Sequence, residues 1–311
     1  MSSLLSAFPL ATHFLRLLST TALLTLTAHA FDPTPIVIPN FSFEAQTNSY
    51  VNINIDSWQK APKPAWYDES GGFLWSQLVG AFKNTPSTSP DHIDNCQGTQ
   101  AIWLFAVPEV ALSQDYDSSP THTFNATFEV GKTYTLSVGV IGGGGGMLEG
   151  ASLQLSLYYR DLLLNKLPVA STSVIHSDAT FPPPYNHFTT FQVTIPTVKP
   201  TDPWAGKKIG IQFLSTVTLE SQGGYWDLDN VRLSSTPDPS LSCSPAGSQA
   251  RVAFLAATGY TFQLQSTDNL LAPNWIPAAS PLTGNGTEAV SLFPFSSSPR
   301  KFFRLAVTPT L

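Results

Sequence analysis

Two short segments near opposite ends of a long β-patterned stretch carry the oxygen-bearing side chains best placed for chemistry. The first is Ile38-Pro39-Asn40-Phe41-Ser42-Phe43-Glu44 and the second is Tyr225-Trp226-Asp227-Leu228-Asp229-Asn230-Val231-Arg232-Leu233. Each reads as a half-buried strand with a carboxylate or an amide at one end. Calcium takes roughly six to eight hard oxygens from carboxylates, amides and backbone carbonyls. If the two strands lie side by side, Glu44 and Asp229 supply the carboxylates and the backbone carbonyl of Asn40 joins them. Ordinary turn acids capping strand ends explain the same residues, and no dense Asp-x-Asp-x-Asp loop is present. A second set of residues is aromatic: Trp66, Tyr67, Trp103 and Phe105 stand at loop-rich or strand-edge positions. Aromatic faces stack on the C–H faces of sugars or on apolar ligands. Trp58 reads as core.

The elements that must hold these residues are strands. Lys132 to Val140 alternates apolar and polar residues in the period-two manner, as do Thr123 to Glu129, Gln154 to Tyr159, Phe188 to Ile195, Ile209 to Leu214 and Trp226 to Leu233. Strict alternation means one buried and one polar face. Repeated short strands without helical periodicity predict an all-β fold, a sandwich or barrel over residues 31–235. Gly142 to Gly146 reads as a flexible loop, because glycine has much backbone entropy to lose on ordering. Asp115-Tyr116-Asp117 reads as a solvated acidic turn. Thr236-Pro237-Asp238-Pro239-Ser240 breaks the pattern, so a linker is expected over 236–247. Strand patterns return over 248–311 as a small β-sandwich-like domain with Trp275 plugging its core, near the lower size limit for a single core.

The chain starts with an address. Arg16 precedes the apolar run Leu17 to Ala28, and Ala28-His29-Ala30 supplies a small-x-small cleavage pattern. Residues 1–30 therefore read as a signal peptide, and the protein as secreted or cell-surface. The apolar run is too short to anchor in a membrane, and no second long one follows. The formal charge is −6 over 311 residues; removing residues 1–30 takes away Arg16 and no acid, leaving −7. Such a chain lacks the basic footprint of a nucleic-acid binder and suits no anionic membrane surface. Cys96 and Cys243 are the only cysteines. Export permits a disulfide between them, and two separate thiols fit equally. His92, His122, His176 and His187 show no metal-ligand spacing.

Asn40-Phe41-Ser42-Phe43-Glu44, Tyr134-Thr135-Leu136-Ser137-Val138, Gly206-Lys207-Lys208-Ile209-Gly210-Ile211 and Asp227-Leu228-Asp229-Asn230-Val231-Arg232-Leu233 occur in this order. Over residues 35–235 this series resembles the family 4/9-type carbohydrate-binding modules, with a galactose-binding-like jelly roll. Within that group it is most similar to the calcium-dependent cyclases of hapalindole and fischerindole biosynthesis. The resemblance implies a calcium ion between the first and last strands, at Glu44 and Asp229. It also implies a catalytic acid at Asp227, which in the cyclases protonates an isoprenoid indole. Such an acid needs an apolar wall, which Trp103, Phe105 and Trp226 would build. The cyclases carry aromatic residues after a Gly-containing turn, where this chain has Gly98 to Phe105. The C-terminal unit is similar to β modules that end many exported proteins of Verrucomicrobia-like bacteria.

Three functions follow as expectations. The first is a secreted carbohydrate-binding-like module that holds a glycan or cell-surface component through Trp66, Tyr67, Trp103 and Phe105. The second is a cyclase-like enzyme acting on a small apolar ligand, with Asp227 as general acid. The third is a structural surface protein.

Overall fold

The computed structural model describes residues 32–47, 49–119, 124–295 and 300–310. The expected signal peptide, His122 and the start of the Thr123 to Glu129 run lie outside them. Among the described residues the chain is all-β, with one 3-10 turn at Trp75–Gln77 and no α-helix.

The larger unit contains β1 (Thr34–Ile36), β2 (Val51–Asn52), β3 (Gln59–Lys60), β4 (Val79–Lys83), β5 (Gln100–Phe105) and β6 (Ala111–Gln114). It continues through β7 (Lys132–Gly144), β8 (Ser152–Arg160), β9 (Lys166–Ile175), β10 (Thr189–Ile195), β11 (Gly210–Ser215) and β12 (Tyr225–Pro237). One sheet has the order β10-β7-β12-β5-β4-β2, with β1 also paired to β12; the other has the order β3-β6-β11-β8-β9. The two sheets face each other across a core that includes Ile102, Leu104, Leu136, Val138, Leu155, Leu157, Ile211, Phe213, Trp226 and Leu228. Alternation along each strand sends these residues inward and their neighbours outward, which is what makes a sandwich.

Trp58 sits in that core. It stacks on Phe213 with ring centroids 5.3 Å apart, lies 5.5 Å from Phe43, and donates Nε1 to the Asn40 carbonyl at 3.1 Å. Of the Thr123 to Glu129 run, the described part holds only an isolated bridge, Thr127 to Lys208. Asp115 is no solvated turn acid either. It is 1% exposed, and its Oδ2 accepts Arg160 Nε at 2.7 Å and the Tyr158 hydroxyl at 2.5 Å. A buried cation partner replaces the water a lone carboxylate would need.

The smaller unit has β13 (Ser242–Ala246), β14 (Gln249–Ala256), β15 (Tyr260–Thr267), β16 (Ile276–Pro277), β17 (Leu282–Thr283), β18 (Thr287–Pro294) and β19 (Phe302–Pro309). They form a β13-β14-β18 sheet and a second sheet in which β15 pairs with β16, β17 and β19. The stretch read as a linker thus carries the end of β12 and all of β13. Phe254, Ala256, Ala257 and Phe262 make the core of this unit. Trp275, expected there, instead lies half-buried beneath the Arg304 guanidinium, 4.6 Å from its ring centre. Its strand-poor surroundings leave it a cation to cover rather than a core to fill. Thr258 Oγ1 donates to Glu129, which ties the two units together.

Trp58→Ala removes two aromatic contacts and one hydrogen bond from the centre of the sandwich. Chemical denaturation should show a loss of about 3–5 kcal/mol with little change in slope. A loss below about 1 kcal/mol would show that Trp58 is not a core anchor.

Candidate functional site

Strand β12 brings the two end segments together. Ile36 pairs with Leu233 in antiparallel register, and Val231 N donates to the Phe41 carbonyl at 3.1 Å. The alternation of β12 breaks once. Asp229 faces Gly139 of β7 but Arg232 faces Ser137, so β12 carries one extra residue here. Asn230 takes φ 58° at this bulge. Asparagine tolerates the left-handed region better than most residues, and an extra residue re-aims the side chains around it. Trp226 and Leu228 point into the core before the bulge; Val231 and Leu233 do so after it.

Asp227 and Asp229 therefore project together from the face of the sheet that lies away from the core. Asp229 is fully buried. Its Oδ2 accepts Gln97 N at 2.6 Å, its Oδ1 is enclosed with no well-formed hydrogen bond, and Asn230 N and the Cys96 thiol also approach the carboxylate. Burial pushes its carboxyl up to about 7, with the Glu44 charge adding to the shift. Glu44 reaches the same loop. Its Oε1 accepts Thr99 N at 2.8 Å and Gln100 N at 2.6 Å, and its Oε2 accepts Thr99 Oγ1 at 3.0 Å. Gly98 has φ 83°, and a methyl there would sit 2.7 Å from the Glu44 carboxyl. The two carboxylates thus clasp one loop from both sides. Burial and the nearby Asp229 charge push the Cys96 thiol up to about 12. Cys96 and Cys243 are both free thiols.

Glu44 and Asp229 are hard oxygen donors, and the partnerless Asp229 Oδ1 is the feature a calcium ion would satisfy. Among the described residues no group of three or more His, Cys, Asp or Glu could hold a metal, so backbone carbonyls or water must complete any such shell. The Asn40 carbonyl, expected among them, instead accepts Phe43 N at 3.2 Å and Trp58 Nε1 at 3.1 Å. Those two donors occupy both of its lone pairs.

Asp227 stands one step along the same face. Its cross-strand neighbours are Trp103 of β5 and Ile141 of β7. Its Oδ1 is enclosed and unpartnered, and desolvation pushes its carboxyl up to about 8. Loss of hydration disfavours the charged form of a carboxyl, which is the direction of this shift. Trp226 does not wall this site, because it faces the core. Tyr225 takes its place, with its ring 5.9 Å from Phe105. Two loops roof part of the face. Asn95 Nδ2 donates to the Phe188 carbonyl at 2.9 Å and Phe188 N returns to Asn95 Oδ1 at 2.7 Å. Beneath that clasp Ile93, Ala101, Ile141 and Phe188 pack together.

Glycines set the aromatic walls. A methyl at Gly80 would lie 2.3 Å from the Trp103 indole, and one at Gly144 would lie 2.3 Å from the Tyr225 ring. Both rings therefore lie flat on bare backbone. Trp103 Nε1 donates to the Gln77 carbonyl at 3.0 Å and fixes the indole there. The glycine run is not a loop as far as Gly144. Its first three residues end β7, where Tyr225 faces Gly144 but Asp227 faces Ile141, leaving a second bulge. Gly143, at φ 105°, lies against the Tyr185 ring. A run of glycine in a sequence signals either freedom or close approach, and only the facing aromatics distinguish the two.

The four aromatic candidates divide. Trp103 and Phe105 stand beside Asp227. Trp66 and Tyr67 join Trp75 in a separate cluster, with centroids 5.0–6.3 Å apart. Trp66 is 41% exposed and donates Nε1 to Glu109 at 2.9 Å.

Several solved structures are similar in fold. A cyclase from Fischerella sp. TAU in complex with 4-(1H-indol-3-yl)butan-2-one shares 21% identity at TM-score 0.47, covering 67% of this chain and all of that one. The Stig cyclase Fisc from Fischerella sp. TAU, in complex with an indole-bearing ligand, shares 20% identity at TM-score 0.46, covering 66% and 99%. A xylan-binding domain from Paenibacillus barcinonensis shares 13% identity at TM-score 0.35, covering 64% and 94%. A search of the curated proteins finds no match. The family model described as HpiC1 cyclase matches residues 34–234, which is the whole sandwich unit, and the chain belongs to this HpiC1-like family.

Proposed function

We propose that the protein is an acid-catalysed cyclase for a small apolar, π-rich substrate, with Asp227 as the proton donor. The observation that carries it is the half-buried Asp227 carboxyl, with Trp103 and Ile141 as its cross-strand neighbours and its Oδ1 enclosed without a partner. Burying such a group is unfavourable unless it is neutral, and a neutral carboxylic acid near pH 7 is a proton donor. Family membership supports the same chemistry. In the step itself, the proton passes from the carboxyl to an electron-rich carbon of the substrate. That leaves a carboxylate and a substrate cation. An internal π-bond of the substrate then closes the ring, and a proton returns from the cyclised cation to the carboxylate. The faces of Trp103, Phe105 and Tyr225 are suited to stabilise the cation meanwhile.

Calcium belongs to this proposal in a structural role. Glu44 and Asp229 would hold it, and its charge would relieve the repulsion between buried Asp229 and half-buried Glu44 while pinning the 96–100 loop to β12. Residues 1–30 would direct the protein out of the cytoplasm. A glycan-holding role is the second reading, favoured by the exposed Trp66 indole.

Indole-terpene turnover should be lost in Asp227→Asn, falling at least a hundredfold, while glycan retention on an affinity gel would respond to Trp66→Ala instead. Undiminished turnover in Asp227→Asn would end the acid assignment. The rate should be level below about pH 7 and fall tenfold per unit above about 8, as the carboxyl ionises. The same group titrates near 3.8 when unfolded, so the fold binds its proton more tightly. Its contribution to stability is therefore full below about pH 4 and is lost as pH rises through about 8. Asp227→Asn should flatten that decline in a series of thermal melts.

Chelator should lower the unfolding midpoint of the wild type, on the order of 5–10 °C for calcium in hundredfold excess over its Kd. Glu44→Gln with Asp229→Asn should abolish the difference between chelator and calcium. Identical wild-type melts in the two buffers would remove calcium from the account. Gly80→Ala should displace the Trp103 indole, detectable as a change in near-ultraviolet circular dichroism together with reduced turnover. An unchanged spectrum would show that the indole is not seated on that glycine.

A further inference from the structure

The turn between β8 and β9 holds three consecutive leucines out in solvent. Leu162 is 95% exposed, Leu163 81% and Leu164 57%. Leucines do not usually occupy a turn apex, where polar residues and glycine serve better. This turn is nevertheless firmly built. Asp161 Oδ1 accepts Leu163 N and Asn165 N, each at 2.8 Å, and its Oδ2 accepts Asn165 Nδ2 at 3.0 Å. Leu164 N donates to the Asp161 carbonyl at 3.1 Å, and Arg160 Nη1 caps the Leu164 carbonyl at 3.1 Å. Leu164 is held at φ 66°, a conformation unfavourable for a leucine. The neck is anchored in turn, because Arg160 is paired with buried Asp115. The side chains of Asp161 and Asn165 are engaged with each other and with the turn, so the three leucines are the unpartnered groups of the apex.

We propose that this apex is a membrane-docking tip, with Leu162, Leu163 and Leu164 entering the interfacial layer of a zwitterionic phospholipid bilayer. The area decides between occupants. Three leucines expose roughly 400 Å², about half of what each partner buries in a standard protein interface. A bilayer has no such threshold, since it flows around a protruding apolar tip and gains with each buried methylene. Charge agrees. Gly210 pairs with Tyr158, so the segment entering β11 runs beside the neck of the hairpin. It brings exposed Lys207 and half-buried Lys208 to the level where lipid phosphates would lie, whereas the Lys166 ammonium is turned inward onto Ser113 Oγ at 2.7 Å. The net charge of −6 argues against strongly anionic surfaces, which is why a zwitterionic lipid is specified. The turn is already ordered, so little conformational entropy is lost on docking. No helix among the described residues is long and apolar enough to cross a membrane, and a docking tip requires none. The proposal is independent of the activity at Asp227.

The test is sedimentation of the full chain with phosphatidylcholine vesicles. The wild type should partition onto them, and 0.5 M salt should change the bound fraction less than twofold. Leu162→Ser with Leu163→Ser should lower the partition coefficient at least tenfold with an unchanged melting temperature. Leu163→Trp should show a blue-shifted emission, on adding vesicles, attributable to the new indole by difference from wild type. A wild type that stays in the supernatant, a double variant that binds as well as the wild type, or a Leu163→Trp difference spectrum that does not move would each overturn the proposal. So would concentration-dependent self-association of the wild type that the double variant abolishes, since a second copy would then be the occupant.

Discussion

Strand β12 is hydrogen-bonded along one edge by β7 for its whole length. Its other edge changes partner, from β5 over residues 225–228 to β1 over residues 233–235. Between those two partners four residues, Asp229 to Arg232, have no strand beside them. Backbone groups left there must find other partners, because unpaired buried amides and carbonyls are costly. The Phe41 carbonyl takes Val231 N, and the Asp229 carboxylate takes Gln97 N. The handover between β5 and β1 therefore draws the start of the chain, the end of the sandwich and the loop before β5 into one place. The Glu44 and Asp229 carboxylates lie together because the sheet has this gap.

A bulge on β7 and another on β12 bracket Asp227 and Asp229. Bulges increase local twist and aim side chains in directions a regular strand does not allow. Between the bulges the register is regular, so Asp227 and Asp229 leave the same face as any i, i+2 pair does, and the bulge after Asp229 keeps Val231 and Leu233 turned to the core. Glycine makes the first bulge possible and also lets aromatic rings rest on the backbone. Desolvation beside these rings raises the Asp227 carboxyl with no charged neighbour needed to explain the shift. In the proposed reaction, proton donation would then depend on the wall as much as on the acid.

The aromatic residues divide along chemical lines. Trp103, Phe105 and Tyr225 share a sheet face with the acid. Trp66 and Tyr67 pack edge-on against buried Trp75, near Glu109 and away from Asp227. A polar tie to Glu109 at an exposed ring suits a hydroxylated ligand, whereas the first group suits a hydrocarbon cation. One sandwich thus offers two different surfaces, which is why fold alone says little about activity.

Residue order alone determined the all-β class, the pairing of the first strand with the last, and the prominence of Glu44, Asp227 and Asp229. Period-two alternation and the Asp-Leu-Asp-Asn-Val-Arg-Leu segment are local patterns, and local patterns survive being read one residue at a time. Side-chain direction past an irregularity does not. The bulge at Asn230 reverses the alternation, so only the folded sheet shows that Trp226 enters the core, whereas Tyr225, two residues before Asp227, shares its face by alternation alone. The glycines from Gly142 to Gly145 carry no mark of the rings that press on them, the Asn40 carbonyl none of the Trp58 indole that occupies it, and Trp275 none of Arg304. Each of those partners is distant in sequence, and contact between distant residues exists only once the sheets have closed.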